Sequence, residues 1–156
     1  MARDLLVCRG MTLPTVLVVD DEALIRWSLT QSLEALGFTV LEAEDGRSAW
    51  LLFSTGVDAV LLDLQLPDTN GIDLLRRFKG SDPRPSVILM SASITPEQVQ
   101  IAHSLGASAV VLKPFGVGEM IAHVKTAMTT HCHAESRCPP AGREAAPQVT
   151  TRGRLL

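Results

Sequence analysis

Acidic side chains stand at the ends of two apolar runs in this sequence. The run TVLVVD at 15–20 ends in Asp20, Asp21 follows it directly, and the run VDAVLLD at 57–63 ends in Asp63. Two carboxylates about 4 Å apart repel each other by roughly 4 kcal/mol at an effective dielectric constant of about 20. A trio that meets at one point therefore needs a cation, or one member must take up a proton. Because the candidate ligand atoms are all oxygens, Mg²⁺ suits such a site.

A hydroxyl and an ammonium group stand near the ends of two further apolar runs. Ser91 closes the run PSVILMS at 85–91, and Lys113 lies in the run SAVVLKP at 108–114. Both groups can donate hydrogen bonds to an anion, and the lysine can also neutralise its charge. An aspartate that lies between a metal ion and a lysine is suited to attack phosphorus and to form an acyl phosphate. The combination indicates phosphoryl chemistry.

These side chains can meet only if the fold brings five separated segments together. The central apolar runs lack polar alternation, which is typical of strands that are covered on both faces, and each run precedes a segment with helical spacing. Strands that alternate with helices form right-handed βαβ units and a parallel sheet, which binds ligands beyond the carboxyl ends of its strands. The predicted strands are 15–20, 38–43, 57–63, 85–91 and 108–114.

Helix boundaries are marked by residues that start or stop helices. The fourth helix opens with Thr95 as N-cap, Pro96 in the first turn and Gln98 at the capping-box position. Trp27 and Trp50 are interpreted as surface or partly buried packing residues. The other helices are predicted from Ile25 to the stop at Gly37, from Asp45 to Gly56, from Gly71 to Gly80, and along the stripe Val117, Ile121, Val124 and Met128.

Length and composition indicate one domain with flexible ends. Of the 156 residues, 46% are hydrophobic, which is enough for a sizeable core. We predict an N-terminal extension at 1–13, a domain at 14–130 and a disordered tail at 131–156, which is poor in large apolar residues. The net charge of −3 provides no basic footprint for nucleic acid, and no apolar run is long enough to span a membrane. The expected location is the cytoplasm.

Four motifs together resemble a known family. VVDDE, LLDLQLPDTNG, MSA and LKPF, in this order and spacing, resemble the receiver domain of bacterial two-component response regulators. The resemblance implies an α/β fold of the (βα)5 flavodoxin-like type, a doubly wound parallel sheet with strand order 2-1-3-4-5. Because no DNA-binding or catalytic domain follows in this sequence, we expect a stand-alone regulator. The expected catalytic activity is limited to self-phosphorylation and autodephosphorylation.

The resemblance also implies the ligands of a magnesium site. Asp63 would be the phosphoacceptor and one ligand of Mg²⁺. Asp21 would bind the ion directly, Asp20 would bind it through water, and the main-chain carbonyl of Gln65 would supply a further ligand. Asp68, in the loop that follows, is interpreted as a turn residue rather than a ligand.

Other residues are implied to bind the phosphoryl group and to report its presence. Ser91 and Ala92 would contact the group, Lys113 would pair with it, and the Lys113–Pro114 peptide bond is expected to be cis. The family usually places Tyr or Phe three residues before the lysine, and Val110 stands there in this sequence. This departure argues against signalling by an aromatic flip, but not against phosphorylation.

The resemblance names classes of partner as well. A sensor histidine kinase or a phosphotransfer protein would donate the phosphoryl group to the receiver. A conformational change of the face formed by the fourth helix, fifth strand and fifth helix would pass the signal to an unknown downstream protein, or to a second copy in a homodimer. We expect no direct contact with nucleic acid or membrane.

Three other functions and one structural role are weighed against this interpretation. A Mg²⁺-dependent phosphohydrolase also uses an aspartyl nucleophile, but it needs a second carboxylate where Gln65 stands. A flavin-binding domain of this topology needs a phosphate-cradling loop after the first strand, where DDEALIR is acidic. A scaffolding receiver that is never phosphorylated agrees with Val110, although the acidic trio and the lysine argue against it. Asp20 and Asp21 could also cap the first helix, which is the role expected of Glu22.

Overall fold

Strands and helices alternate along the chain, as the apolar runs predict. The computed structural model describes residues 13–134, and the side chains of 13–130. The elements are β1 (Thr15–Val19), α1 (Ala23–Glu34), β2 (Thr39–Ala43), α2 (Gly46–Phe53), β3 (Ala59–Asp63), α3 (Gly71–Lys79), β4 (Ser86–Ser91), α4 (Pro96–Ser104), β5 (Ala109–Leu112) and α5 (Val117–Ala134).

The five strands form one parallel sheet in the order β2-β1-β3-β4-β5, which confirms the predicted fold class. The chain winds in one direction from β1 to β2 and in the other from β3 to β5. β1 and β3 are therefore neighbours at the point where the strand order reverses, and Val19 pairs with Leu62 near their carboxyl ends. In such sheets, this position opens the crevice in which ligands bind.

Side chains that alternate along each strand divide the core into two layers. In β1, Val16 and Val18 face α1 and α5, whereas Leu17 and Val19 face α2, α3 and α4. Phe78 of α3 is fully buried in the second layer, which lies between the sheet and α2, α3 and α4. Because both faces of the sheet are covered by helices, the central strands are apolar throughout and only their ends are available for polar groups.

An aromatic cluster lies on the outer side of the second layer. The Trp50 ring is 5.7 Å from that of Phe53 and 5.9 Å from that of Phe78, and the Arg77 guanidinium lies 4.1 Å from the Trp50 ring centroid. Trp27, on α1, is 60% exposed. Trp50 is therefore a partly buried packing residue and Trp27 is a surface residue, as predicted.

The capping box predicted for the fourth helix is confirmed, the cap expected of Glu22 is wrong, and Asp45 proves to be a cap where only a helix start was predicted. The Asp45 side chain accepts a hydrogen bond from the Ser48 N–H at the start of α2, and Thr95 and Gln98 form a complete capping box on α4. Glu22 occupies the N-cap position of α1, but its side chain caps no backbone N–H. Instead, its carboxylate lies 3.6 Å from the Lys113 ammonium.

Two of the predicted strands extend too far at their carboxyl ends. β1 ends at Val19 and β5 at Leu112, so Asp20 and Lys113 follow their strands instead of ending them. The last helix continues to Ala134, beyond the predicted domain boundary at 130. The segments 1–12 and 135–156, which contain most of the predicted extension and tail, lie outside the described residues. Within residues 13–134, no helix is both long and apolar enough to cross a membrane.

Candidate functional site

Three carboxylates converge at the carboxyl ends of β1 and β3. Asp20 follows β1 and is fully buried, Asp63 ends β3 and is 4% exposed, and Asp21 is exposed. One oxygen atom from each of the three lies within 4.8 Å of the others. The fold therefore brings together side chains that are far apart in the sequence, because β1 and β3 are adjacent and parallel.

Lys113 joins the two buried carboxylates. Its Nζ donates hydrogen bonds to Asp20 Oδ2 at 2.7 Å and to Asp63 Oδ2 at 3.0 Å. The lysine side chain is only 10% exposed. Its backbone N–H donates to the Ser91 carbonyl at 2.8 Å, and this bond fixes the residue that follows β5 beside the end of β4. One ammonium group thus serves two carboxylates from different strands.

Burial and pairing set the protonation behaviour of this cluster. Burial raises the pKa of Asp63, although the Gln65 N–H and the Lys113 ammonium oppose the shift. Burial alone would lower the pKa of Lys113, but its hydrogen bonds to Asp20 and Asp63 outweigh that effect and the pKa is raised. Lys113 is therefore a firmly charged cation, and Asp63 is a carboxylate that gains from any additional positive charge.

Local hydrogen bonds hold the two buried carboxylates in place. Asp63 Oδ1 accepts from the Gln65 N–H at 3.0 Å, and Asp20 Oδ1 accepts from the Glu22 N–H at 2.9 Å. In both, the side chain bonds the backbone two residues on, as in an Asx turn. Arg26 Nη1 also donates to the Asp20 carbonyl at 2.6 Å. Both carboxylates are therefore oriented by the protein itself.

The donor set fits a hard divalent cation. The three clustered ligand atoms are carboxylate oxygens, and the exposure of Asp21 leaves one side of the cluster open to water. Mg²⁺ binds through a few carboxylates and keeps several of its waters, so Asp20, Asp21 and Asp63 match its requirements. Gln65 is the second residue of the loop that follows Asp63, and it is exposed.

Ser91 is buried at the end of β4, and its hydroxyl bonds to the loop that follows. Ser91 Oγ donates to the Ser93 carbonyl at 2.5 Å and accepts from the Ser93 N–H at 3.1 Å. Ala92, between them, is exposed. The Ser91 hydroxyl is therefore engaged by the main chain of Ser93 in this structure.

The remaining predicted positions lie around β5. Val110 pairs with Leu89 in the sheet register and is half-buried against the core layer of α2, α3 and α4. The Lys113–Pro114 peptide bond is cis, as the resemblance implies. The Asp82–Pro83 bond is also cis, and the sequence analysis did not predict it.

Sequence reasoning missed two contributors to the site, Glu22 and Arg26. Glu22 was assigned to helix capping, and Arg26 to no role. Only Arg26 left a signal in the sequence, since a residue six positions after Asp20 lies one turn into α1 and on the side of the strand end. A long cationic side chain at that position can bridge back to the backbone.

A sequence comparison decides the family. The model of the response regulator receiver domain matches residues 16–125. The chain belongs to the response regulator receiver family. Receiver domains of this family are phosphoacceptors of two-component signalling, and they interact with histidine kinases or other phosphodonors. The match begins at the second residue of β1, includes β2 to β5 and ends within α5.

Curated relatives carry the receiver within longer proteins. The chain is 35% identical over 136 residues to the DNA-binding transcriptional regulator NtrC of Azospirillum brasilense, covering 86% of this chain and 27% of that protein. It is 35% identical over 112 residues to the transcriptional regulatory protein CusR of Escherichia coli K12, covering 71% of this chain and 49% of that protein. The chain thus spans about half the length, or less, of these relatives.

Solved structures agree on the fold. The crystal structure of a CheY-like response regulator receiver domain protein from Methanospirillum hungatei superimposes with a TM-score of 0.75. At 24% identity, the alignment covers 79% of this chain and 99% of that one. The receiver domain described by residues 13–134 therefore has the architecture of its family.

Proposed function

We propose that Asp63 of this receiver accepts a phosphoryl group from the phosphohistidine of a sensor histidine kinase or a phosphotransfer protein. The observation that carries the proposal is the pair of hydrogen bonds from Lys113 to Asp20 and Asp63. They place one ammonium group beside a buried carboxylate at the strand-order reversal. Such a carboxylate is held ready to attack, and the charge that develops on an incoming phosphoryl group has a counter-ion in place.

The transfer breaks the P–N bond of the donor and forms a P–O bond to an Asp63 carboxylate oxygen. The electron pair of the broken bond stays on the imidazole nitrogen of the donor. Asp63 is already oriented by the Gln65 N–H, and Lys113 can move its hydrogen bond from Asp63 Oδ2 to a phosphoryl oxygen. Asp20, Asp21, Asp63 and the Gln65 carbonyl would hold Mg²⁺, which supplies positive charge for the phosphoryl oxygens.

The phosphoryl group would then reset the hydrogen bonds of the β4–α4 loop. It adds a charge of roughly −1.5 to −2 and strong acceptor oxygens beside Ser91. The Ser91 hydroxyl, now bonded to Ser93, would turn toward these oxygens together with the Ala92 N–H. Because Val110 offers no aromatic ring, the change would be transmitted by this loop to the face of α4, β5 and α5 as a population shift.

The output is proposed to be a protein interaction on that face. Ile101 of α4 and Leu112 of β5 are large apolar residues that are 43% and 58% exposed. A downstream protein, or a second copy in a homodimer, would cover them once Asp63 is phosphorylated. With a net charge of −3, the chain offers no bulk attraction for nucleic acid, so we propose no direct contact with it.

Steady hydrolysis of phosphoesters is not proposed. An aspartyl phosphohydrolase needs an acid or base two residues after the nucleophile, and that residue here is Gln65, whose amide neither gains nor loses a proton. The acyl phosphate on Asp63 would therefore decay slowly and serve as a signal.

Incubation with acetyl phosphate and Mg²⁺, followed by intact-mass analysis, tests the proposal. Wild type should gain one phosphoryl mass, Asp63→Asn should gain none, and Asp73→Asn, a matched exposed aspartate on α3, should behave as wild type. Omitting Mg²⁺ should abolish the gain. An unmodified wild type with acetyl phosphate and with phosphoramidate would overturn the proposal and favour a scaffolding receiver.

A further inference from the structure

We infer that Asp68 is a positioning residue, which holds the β3–α3 loop (residues 64–70) in the geometry that the metal and phosphoryl site requires. It does so by docking onto the N-terminus of α2. The inference rests on the proposed function, because the Gln65 carbonyl lies in this loop. Asp68 touches neither the clustered carboxylates nor Lys113, so its effect must act through the backbone.

The Asp68 carboxylate accepts two hydrogen bonds from α2. Gly46 N–H donates to Oδ1 at 2.8 Å, and Arg47 N–H donates to Oδ2 at 3.0 Å. The next N–H, from Ser48, donates to Asp45 Oδ1 at 2.7 Å. The first three N–H groups of α2 thus have carboxylate acceptors, and two of the three bonds go to a loop that is more than twenty residues away in sequence.

The loop and the helix are in direct steric contact as well. A Cβ atom added to Gly46 would collide with Thr69 Cγ2 and would lie 3.2 Å from Asp68 Oδ1. Glycine at this position lets the loop lie on the first turn of the helix without displacing the Thr69 side chain. The small size of Gly46 and the hydrogen bonds of the Asp68 carboxylate therefore support the same contact between the loop and the helix.

The base of the same loop is fixed at the phosphoacceptor. The Gln65 N–H donates to Asp63 Oδ1 at 3.0 Å, and the Gly71 N–H donates to the Leu64 carbonyl at 2.7 Å. Gln65 and Asn70 form an isolated antiparallel bridge. These bonds close the base, whereas Asp68 lies at the tip. Docking of the tip onto α2 gives the loop a second, distant anchor.

A further bond connects this anchor to the other buried carboxylate. The Asp20 N–H donates to the Ala43 carbonyl at 3.1 Å, which ties the end of β1 to the end of β2. α2 begins three residues after Ala43. The ends of β1 and β2, the start of α2, the tip of the loop and the end of β3 are therefore linked in a closed ring, which includes Asp20 and Asp63. Breaking the ring at Asp68 leaves the segment that contains Gln65 held only by the bonds at the base of the loop.

The bonds at this contact are favourable for two reasons. A carboxylate that accepts backbone N–H groups makes charge-assisted hydrogen bonds. The N-terminus of a helix also carries partial positive charge from the aligned peptide dipoles. Removing a group that orients a metal ligand without touching the metal typically lowers metal affinity about 10-fold or more. Because Asp68 is exposed, we expect the lower end of that range.

The test compares Asp68→Ala, Asp68→Asn and the control Asp73→Ala, which removes another exposed aspartate from an adjacent helix start. Mg²⁺ affinity is measured by isothermal titration calorimetry well below the unfolding temperature of each variant. Asp68→Ala should raise the Mg²⁺ Kd about 10-fold. Asp68→Asn, which keeps one acceptor oxygen, should raise it about 3-fold, and Asp73→Ala should leave it unchanged.

A second readout separates positioning from stability. The rate of Asp63 phosphorylation by acetyl phosphate should fall in Asp68→Ala at low Mg²⁺ and recover at saturating Mg²⁺. A merely structural role would lower Tm without changing the Mg²⁺ Kd, and this result would overturn the inference. If wild type itself neither binds Mg²⁺ nor accepts a phosphoryl group, the proposed function fails instead.

Gly46→Ala probes the same contact from the helix side. Like Asp68→Ala, this variant should raise the Mg²⁺ Kd, because the added methyl group pushes Thr69 away. The double variant Gly46→Ala with Asp68→Ala should show less than the sum of the two effects, because both remove one contact. Full additivity would contradict the ring.

Discussion

The two ends of the sheet use charged and polar residues in opposite ways. At the amino end, buried or half-buried polar groups bond to main-chain atoms: Asp58 accepts from the Thr15 N–H at 2.7 Å, and Lys79 donates to the Pro85 carbonyl at 2.8 Å. At the carboxyl end, charged side chains face each other, and Lys113 is shared by Asp20 and Asp63.

This difference separates polar groups that hold the fold from those that wait for a ligand. A main-chain partner is always present, so the amino-end bonds are complete in the folded protein. The three clustered carboxylates, of which two share the Lys113 ammonium group, have excess negative charge and could hold a metal ion. Burial alone does not mark a functional group; burial among like charges does.

The largest expected effect comes from Lys113→Met. Acyl phosphate formation at Asp63 should fall to background, because the phosphoryl oxygens lose their ammonium partner. Urea unfolding in EDTA should show a loss of about 3 kcal/mol in the free energy of unfolding, since two buried carboxylates lose their shared counter-charge. Added Mg²⁺ should recover part of that loss. Lys79→Met is the control at the amino end of the sheet, and its Asp63 should be phosphorylated as in wild type. If Lys113→Met is also phosphorylated as in wild type, the proposed difference between the two ends is wrong.

A smaller effect, confined to stability, is expected for Asp58→Ala. The Thr15 N–H loses its acceptor, and unsatisfied groups of this kind cost about 2 kcal/mol. Urea unfolding measures this loss, while calorimetry and intact mass should give the wild-type Mg²⁺ Kd and phosphorylation. Asp58→Asn, which keeps an acceptor oxygen, should recover most of the stability. A change in Mg²⁺ affinity in either variant would show that the two ends are coupled.

The smallest effect is a pH dependence from Lys79. Burial lowers the pKa of its ammonium group, and the positive charge of Arg84 lowers it further. Between this lowered pKa and the ordinary lysine value, the unfolded chain binds more protons than the folded one, so this residue makes stability rise with pH. Lys79→Met should lack that rise, and the difference between the two unfolding curves measured across alkaline pH isolates it. If the free energies of unfolding of wild type and Lys79→Met change with pH in parallel, Lys79 does not cause the rise.

The parallel sheet and the convergence of the acidic trio were predictable from the sequence pattern, whereas the strand order followed from the family resemblance. Apolar runs and the parallel topology place Asp20, Asp63 and Lys113 at one edge regardless of local detail. The strand ends were less predictable, since β1 stops one residue before Asp20 and β5 one residue before Lys113. Periodicity marks the apolar interior of a strand but not the residue at which ladder hydrogen bonds stop.

Contacts between loops left no such signature. The sequence indicated only a turn residue at Asp68. Its partners are backbone N–H groups, which every residue except proline possesses, so no residue type marks them in the sequence. Glu22 was assigned to the helix terminus, since the ammonium group that attracts it belongs to a residue after the last strand. Both roles depend on distances between segments that are separate in sequence, and the order of side chains along the chain does not encode them.

The placement of the two indole rings makes this receiver its own optical probe. The sequence contains two tryptophans and no tyrosine, so its ultraviolet emission comes almost entirely from Trp27 and Trp50. An aqueous quencher such as acrylamide will extinguish the 60% exposed Trp27 first. The residual signal then belongs to Trp50, which stacks with Phe78. Trp50 and Asp68 line the same surface pocket between α2 and α3. Movements of the α2–α3 side can thus be followed in real time on an unlabelled chain.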